Sequence, residues 1–536
     1  MIDHTALYVA HTIHTLDAQA PIDATGILVV NGLIAEVGDA AALRRTAPSE
    51  TQIHDFGSAT ITPGLIDGHS HPIVGLEWTR GEDLSACTTL AEVIGKLQDA
   101  RHALEPGAWL RGWGLNPHVF QGRAPSHHPL GEVFEGIPAY VLLYDGHSAI
   151  VSSTALEMAG VTGERYFASD ARIVTDSNGT PTGHVLELEA LELFTTLMPS
   201  PSLESRAHAL LALLSDMART GLVGAHVMDA ESNALEILEM AETVGELPVQ
   251  LALNAWVVPS RAHDLTKILS LHGRHGRRWR VEGVKFFLDG TVDGGTAWLE
   301  QEDCCGRGTG TPWGNAKAFA AVFEQAYLAG VNTATHAIGD RAVRTIYELV
   351  TKLERRHGPR GAHRIEHIET VPDSVVSLFS DQIVAASMQP LHATRFARAD
   401  HTDSWSQRLG EERAANGFRC RDIRDVGATL ALGSDWPIAP FDPRIIMADA
   451  MLRRPFDDPT TDPVGPHQAL TALQALEGFT THAARASGED RQRGAISPGL
   501  RADFTVWGQD PLATPADSLG TSRIISTVVH GRPVAL

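Results

Sequence analysis

Cysteine is scarce. The four in 536 residues, Cys87, Cys304, Cys305 and Cys420, are too few and too unevenly spaced for a disulfide framework. They read as reduced thiols, and no CxxC spacing gives them a metal role. Long apolar runs are missing too. No segment approaches the roughly 20 apolar residues that span a bilayer. The opening Met1-Ile2-Asp3-His4 lacks the basic start and apolar stretch of a secretory signal. A soluble, cytoplasmic protein without a membrane partner is the expectation. Positive charge is short as well: 43 Lys and Arg stand against 65 Asp and Glu, a formal net charge of -22. That balance argues against nucleic acid and anionic lipid as partners. A small-molecule substrate remains, with a homodimer expected only from the general frequency of such assemblies. The chain has no internal repeat and no low-complexity tract.

What is present is a large apolar fraction, 43% hydrophobic residues, enough for a sizeable core. The length suits two to four domains, or one large barrel with attachments. Both ends read as strands. Ile27-Leu28-Val29-Val30 meets the turn Asn31-Gly32 and the partner run Leu33-Ile34-Ala35-Glu36-Val37. Near the other end, Asp503-Phe504-Thr505-Val506-Trp507 and Ile524 to Val529 have the same character, followed by a His530-Gly531 turn. The two ends could pair into one β domain from residues 1–59 and 497–536, or form two unrelated hairpins. Between them, over 60–496, short β-rich runs alternate with helical patterns. Ala139 to Leu143, Val281 to Phe287 and Ala428 to Leu432 are such runs, and Ala318 to Leu328 is helical. Repeated strand-then-helix indicates a parallel α/β sheet or barrel, and periodicity does not decide between open and closed forms. Residues 104–198 are rich in turns and read as an insertion.

The chemistry begins at Thr62-Pro63-Gly64-Leu65-Ile66-Asp67-Gly68-His69-Ser70-His71-Pro72. Residues two apart on a strand point the same way, so His69 and His71 can aim at one ion. Imidazole suits zinc, iron, nickel or manganese. With 26 histidines in the chain, an isolated HxH also arises by chance. Later segments make it less isolated. Asn332 to His336 and Arg364 to His367 each end a strand-like run in histidine. Leu430-Ala431-Leu432-Gly433-Ser434-Asp435 ends one in aspartate, followed by Trp436. Val284-Lys285-Phe286-Phe287 carries a lysine inside an apolar run. In a TIM barrel, functional residues sit at the C-terminal ends of different strands, and His69, His71, Lys285, His336, His367 and Asp435 fit one barrel mouth.

The order HxH, Lys, His, His, Asp resembles the amidohydrolase superfamily. The chain is similar to its YtcJ-like subgroup, also called amidohydrolase type 3, which includes N-substituted formamide deformylases. Gly146-His147-Ser148-Ala149, Gly179 to Gly183, Phe287-Leu288-Asp289-Gly290-Thr291, His336 to Val343 and Ile496 to Asp503 carry that closer resemblance, which extends over nearly the whole chain. It implies a (β/α)8 TIM-type barrel and a small β-sandwich built from both termini, and the turn-rich 104–198 would then be an insertion after the first barrel strand. It also implies a divalent metal, zinc before others, as one or two ions. Lys285 would be carboxylated in the two-ion case; the alternative is a lysine packed by its stem with its amine in an ion pair.

The activity this implies is hydrolysis of a non-peptide C–N bond in an N-substituted formamide, N-acyl amine or cyclic amide, with Asp435 as general base. Deamination, or carbamate or ester hydrolysis, would use the same site, and a non-catalytic barrel scaffold would be expected to have lost ligands. His147 is a candidate to stabilise developing negative charge, or a structural histidine. Trp113, Asp289 and Trp436 are candidates for substrate contact. Core packing suits Trp113 and Trp298 better, while Trp436 follows a proposed ligand and suits a pocket. Asp289 and the pair Asp340-Arg341 could instead orient ligands or make simple ion pairs and caps. His226, His392 and Asp229 have no motif support and stay outside the expected metal site.

Overall fold

The computed structural model describes residues 5–21, 23–167, 171–230 and 233–535. Its centre is an eight-stranded parallel sheet. In chain order the strands are β1 (Leu65–Ser70), β2 (Leu222–Ala230), β3 (Gln250–Val257), β4 (Trp279–Phe287), β5 (Asn332–Ala337), β6 (His363–His367), β7 (Ala385–Met388) and β8 (Leu430–Leu432). β2 is buried at all nine positions, as expected where one face meets the barrel interior and the other meets helices.

β8 returns to β1 and brings the sheet round to a TIM-type barrel. Asp435 N donates to His69 O at 2.7 Å and His71 N to Trp436 O at 2.8 Å. Glycine makes this approach possible. A Cβ on Gly68 would lie 2.5 Å from Leu432 O, and one on Gly433 would lie 2.4 Å from His69 N.

Outer helices bury apolar stripes against the strands. The helix Asp340–His357 buries Val343, Ile346, Tyr347, Val350 and Leu353, spaced three and four apart on one face. Leu203–Arg219 starts at Ser202, whose side chain accepts from Ser205 N, a favoured N-cap arrangement.

The chain ends share a core. A four-stranded sheet holds Thr5–Val9, Gly26–Val30, Leu33–Gly38 and Gln52–Asp55, and a five-stranded sheet joins Thr12–Ile13 and Thr60–Pro63 to Phe504–Trp507, Ile524–Val529 and Arg532–Pro533. Tyr8, Ile27, Ile61, Phe504, Val506 and Val528 pack in one cluster. Thr60–Pro63 pairs antiparallel with Phe504–Trp507, so this layer extends to residue 63, past the expected boundary at 59.

The segment between β1 and β2 carries a six-stranded sheet running from Glu82–Asp83 to Pro181–Leu186. This unit starts well before residue 104, because the helix Leu90–His102 packs Val93 and Leu97 with Leu110, Val141 and Ile150. Turn content alone does not reveal that packing. Ala139–Leu143 belongs to this inserted sheet and not to the barrel. Its two faces are both covered, Tyr140 and Leu142 in one cluster and Val141 and Leu143 in another. A strand buried on both sides reads as a continuous apolar run in either setting.

Candidate metal centre

The barrel strands deliver the six expected residues to one mouth. His69 Nε2 lies 3.3 Å and His71 Nε2 3.1 Å from Asp435 Oδ1. Lys285 Nζ is 3.3 Å from His69 Nε2. The ring of His367 lies 4.8 Å from that of His69 and 4.5 Å from that of His336, centre to centre. All six are buried.

Hydrogen bonds behind the rings decide which nitrogen faces inward. Glu366 Oε2 takes His69 Nδ1 at 2.6 Å, Asp289 Oδ1 takes His336 Nδ1 at 3.0 Å, and Gln389 Oε1 takes His367 Nδ1 at 2.9 Å. An oxygen acceptor fixes the proton on Nδ1 and leaves the Nε2 lone pair free, the usual preparation of a metal-binding histidine. Burial pushes His69 down to about 3 and His336 and His367 well below their ordinary value. These rings are therefore neutral, the form that binds a metal. Burial also raises Asp435, but His69 and His71, whenever a proton sits between them and the carboxylate, outweigh it and hold the carboxyl well below the usual range.

The donor set fits a divalent cation. Asp435 Oδ1 and His71 Nδ1 are buried without a hydrogen-bond partner among the described residues. His69, His71 and Asp435 bring one donor atom each within 4.8 Å of one another, as do His367, His392 and Asp435. A carboxylate facing an imidazole lone pair is repulsive unless a cation or proton lies between them. Asp67 braces the arrangement by accepting from His69 N at 3.1 Å, Ser434 N at 2.9 Å and Ser434 Oγ at 2.6 Å. Strain collects at the same place: His367, Ile368 and Asp435 have φ of 77°, 51° and 57°. Such backbone persists where surrounding structure over-determines it.

The remaining candidates take different places. Trp113 packs against the inserted unit's core and is not among the residues that line the chamber of His71, His336 and Asp435. The Trp436 ring lies against Gly75 and Phe441, because the β1–β8 closure uses its backbone and turns its side chain outward. Asp289 touches His336 and the amides of Trp298, Ile338 and Gly339, so it orients the His336 ring. Asp340 accepts from Glu300 N and Arg341 N, a loop and helix-start contact. Trp298 is core. His392, left out by the sequence reading, sits in the centre, its Nε2 3.5 Å from Asp435 Oδ2 and its Nδ1 3.3 Å from Glu369 Oε1. Its position four residues beyond β7 was the available signal. His226 accepts from Arg364 Nη1 at 2.8 Å, and Asp229 accepts from Ile73 N and Val74 N.

The inserted unit contributes His147, whose ring centre is 5.4 Å from that of His336. Its Nδ1 meets Glu187 Oε2 at 2.8 Å, and its backbone oxygen accepts from Glu187 N at 2.7 Å. Glu187 Oε1 in turn accepts from Thr296 Oγ1 at 2.6 Å. Thr296 follows β4 in the same loop as Asp289, so one loop braces both His336 and His147. Glu187 has φ 68° and ψ 155°, a region that glycine alone enters freely. Burial lowers His147, but the Glu187 carboxylate outweighs it and lifts the ring to about 9.

The profile of the amidohydrolase family matches residues 52–535. The chain belongs to the amidohydrolase family. The Bacillus subtilis (strain 168) protein YtcJ is 28% identical over 523 residues, covering 95% of each chain. An N-substituted formamide deformylase of Arthrobacter pascens is 25% identical over 542 residues, 97% of this chain and 96% of the relative. Among solved structures, an uncharacterized metal-dependent hydrolase of Pyrococcus horikoshii OT3 superposes with a TM-score of 0.72 at 22% identity, covering 96% of this chain and 99% of that one. At that identity the match supports the barrel architecture alone.

Proposed function

We propose that this amidohydrolase cleaves a non-peptide C–N bond of a small amide at a divalent metal centre formed by His69, His71, His336, His367 and Asp435, with zinc the first candidate. The observation that carries this is the set of inward Nε2 atoms, tied off behind by Glu366, Asp289 and Gln389, around the unpartnered Asp435 Oδ1. When bound, the ion would supply Lewis acidity and water whose pKa falls from about 15.7 toward 7. Asp435 would take the proton from the attacking water and return it to the leaving nitrogen. His147, protonated at neutral pH through its Glu187 partner, would donate from Nε2 to the carbonyl oxygen as negative charge builds there. In this reading the two terminal sheets, which share the cluster of Tyr8, Ile61 and Phe504, form one β-sandwich domain that supports the barrel.

The test combines metal analysis with a panel of N-substituted formamides, N-acyl amines, lactams, carbamates, esters and amino-purines or -pyrimidines. Stripping the protein with a chelator is expected to abolish amide turnover and lower the melting temperature, and zinc is expected to restore both. Turnover confined to esters, carbamates or amino-heterocycles would replace the amide assignment. Turnover and melting indifferent to the chelator would defeat the metal centre.

Glu187 offers a second test. Glu187→Gly is expected to cut kcat at least 10-fold with a smaller change in KM. Its melting temperature should move little, because glycine adopts φ 68°, ψ 155° without the roughly 1–3 kcal/mol of strain charged to other residues, offsetting the lost hydrogen bonds. Glu187→Gln keeps an acceptor for His147 and Thr296 and should retain more of the rate. Normal kcat in Glu187→Gly together with a large loss in His147→Ala would mean that His147 acts without this brace.

A further inference from the structure

Two chambers meet at the barrel mouth. The inner one, about 70 Å³, is lined by His71, His336, His367 and Asp435 together with Tyr144, Phe396 and Trp405. The outer one, about 520 Å³, lies between the helix Leu188–Thr195 and the segment after β3. Five residues line both: Trp78, His147, Leu188, Trp256 and Phe287. The inner chamber is too small for more than the reacting group and its immediate neighbours. A larger substrate must continue past that shared, mostly aromatic wall.

The outer chamber sets what the continuing part can be. Tyr140, Leu191, Val258, Pro259 and Pro312 give it an apolar lining, the surface that favours burial of hydrocarbon. Its charged side chains are mostly acidic. Glu187, Glu189, Glu192 and Asp289 stand against Arg261, and both Glu189 and Arg261 have partners of their own. The inner chamber adds Asp145, Asp293 and Glu369. Asp293 is engaged by Tyr144 Oη at 2.8 Å and Ser404 Oγ at 2.6 Å, and Glu369 by Trp405 Nε1 at 2.8 Å. The cation near the reacting group is already committed, His147 to Glu187. A substrate carboxylate carried into the outer chamber would lose its water, meet several like charges and find, among the described residues, two cations that each have a prior partner, Arg261 and His147.

We infer that the outer chamber is a binding subsite for an uncharged aryl or alkyl group, and that the substrates are amides without a carboxylate, to the exclusion of N-acyl amino acids. This rests on the amide reading of the inner chamber and narrows it. It assigns the discrimination to the acidic walls and the size selection to the outer chamber.

Two matched compounds isolate the carboxylate: N-acetylphenethylamine and N-acetylphenylalanine differ by that group alone. The metal-loaded enzyme is expected to favour the first by at least 10-fold in kcat/KM. N-acetylmethylamine serves as the short reference. Val258→Trp and, separately, Ser260→Phe place bulk in the outer chamber. Each is expected to lower the ratio of kcat/KM for the phenethyl compound over the methyl compound at least 10-fold. Equal or better use of N-acetylphenylalanine, or a ratio unchanged in both variants, would overturn the inference. Calorimetric binding of phenethylamine and phenylalanine to the same protein decides the matter without turnover. The amine is expected to bind at least 10-fold tighter, and to weaken in both variants. If no amide is turned over yet this binding pattern holds, the amide reading fails and the subsite stands; turnover with the reverse binding preference overturns the subsite and leaves the amide reading intact.

Discussion

Asp435→Asn is expected to keep the fold and most of the bound metal while kcat falls by about 10²–10⁴-fold, the range typical of lost general acid–base catalysis. The residue sits just beyond β8, with its backbone N donating to His69 O at 2.7 Å. Its Oδ1 lies between His69 Nε2 and His71 Nε2, and its Oδ2 faces His392 at 3.5 Å. Asparagine preserves the shape and one oxygen donor, so four histidines and an amide oxygen remain for the ion. It removes the group that can accept a proton. A rival role for aspartate after a strand is to cap a helix, worth about 1 kcal/mol. The hydrogen bonds argue against that role: the nearest following helix, Pro443–Leu452, is capped by Asp442, and Asp435 Oδ1 has no hydrogen-bond partner. A carboxyl held below its ordinary value remains a competent base below that value and loses competence only as pH falls through the lowered one, so an acidic limb that reports Asp435 lies below the usual carboxylate range and should vanish in Asp435→Asn. Metal content, melting temperature and kcat measured on one preparation decide the question. A stable, metal-loaded Asp435→Asn enzyme with near-normal kcat would remove Asp435 from proton transfer.

The six strand-end residues were legible because their signal is local. A short apolar run that ends in His or Asp, or carries a Lys near its end, states both a buried strand and a chemical group at its mouth, and the barrel then gathers the ends. His392 and Glu369 gave no such signal. Each lies in a loop or helix beyond its strand, Glu369 two residues past β6 and His392 in the helix Pro390–Phe396, so neither completes a run. The aromatic wall was misjudged for a related reason. Trp436 is adjacent to Asp435 in sequence, but closure of β8 on β1 uses its backbone and sends the ring against Gly75. Trp78, Trp256 and Trp405 come from three separate parts of the chain and meet only in the fold. Glu187 carries strain that sequence does not display. Its φ of 68° would suggest glycine, and only the bonds to His147 and Thr296 account for a glutamate there. The inserted sheet was read as turns with one barrel-like run because its strands are short and its central strand is covered on both faces.

Lys285→Ala is expected to lose at least one metal equivalent and most of the activity, with partial recovery in the presence of short carboxylates. The lysine is fully buried on β4, and among the described residues no carboxylate lies within 4.0 Å of its Nζ. Burying an unpaired ammonium is costly, and burial lowers this amine to about 8. A divalent ion at the neighbouring His69 would make a positive lysine costlier still. Carboxylation would resolve the conflict: the neutral amine would form an N–C bond to carbon dioxide, one proton would leave, and the side chain would become an anionic carbamate. Two-metal sites hold their ions about 3.5–4 Å apart, a separation that a carboxylate-like group can bridge and an ammonium cannot. Exogenous formate or acetate could occupy the space freed in Lys285→Ala and supply that oxygen pair, which is why rescue, and not loss alone, is the informative readout. A merely structural lysine would lower the melting temperature on substitution, but short carboxylates would restore neither metal content nor rate. Full metal content and activity in Lys285→Ala would exclude any part for Lys285 in holding the ions. One metal equivalent in the wild-type protein, unchanged by bicarbonate, would assign a single-ion centre in which Lys285 remains an amine.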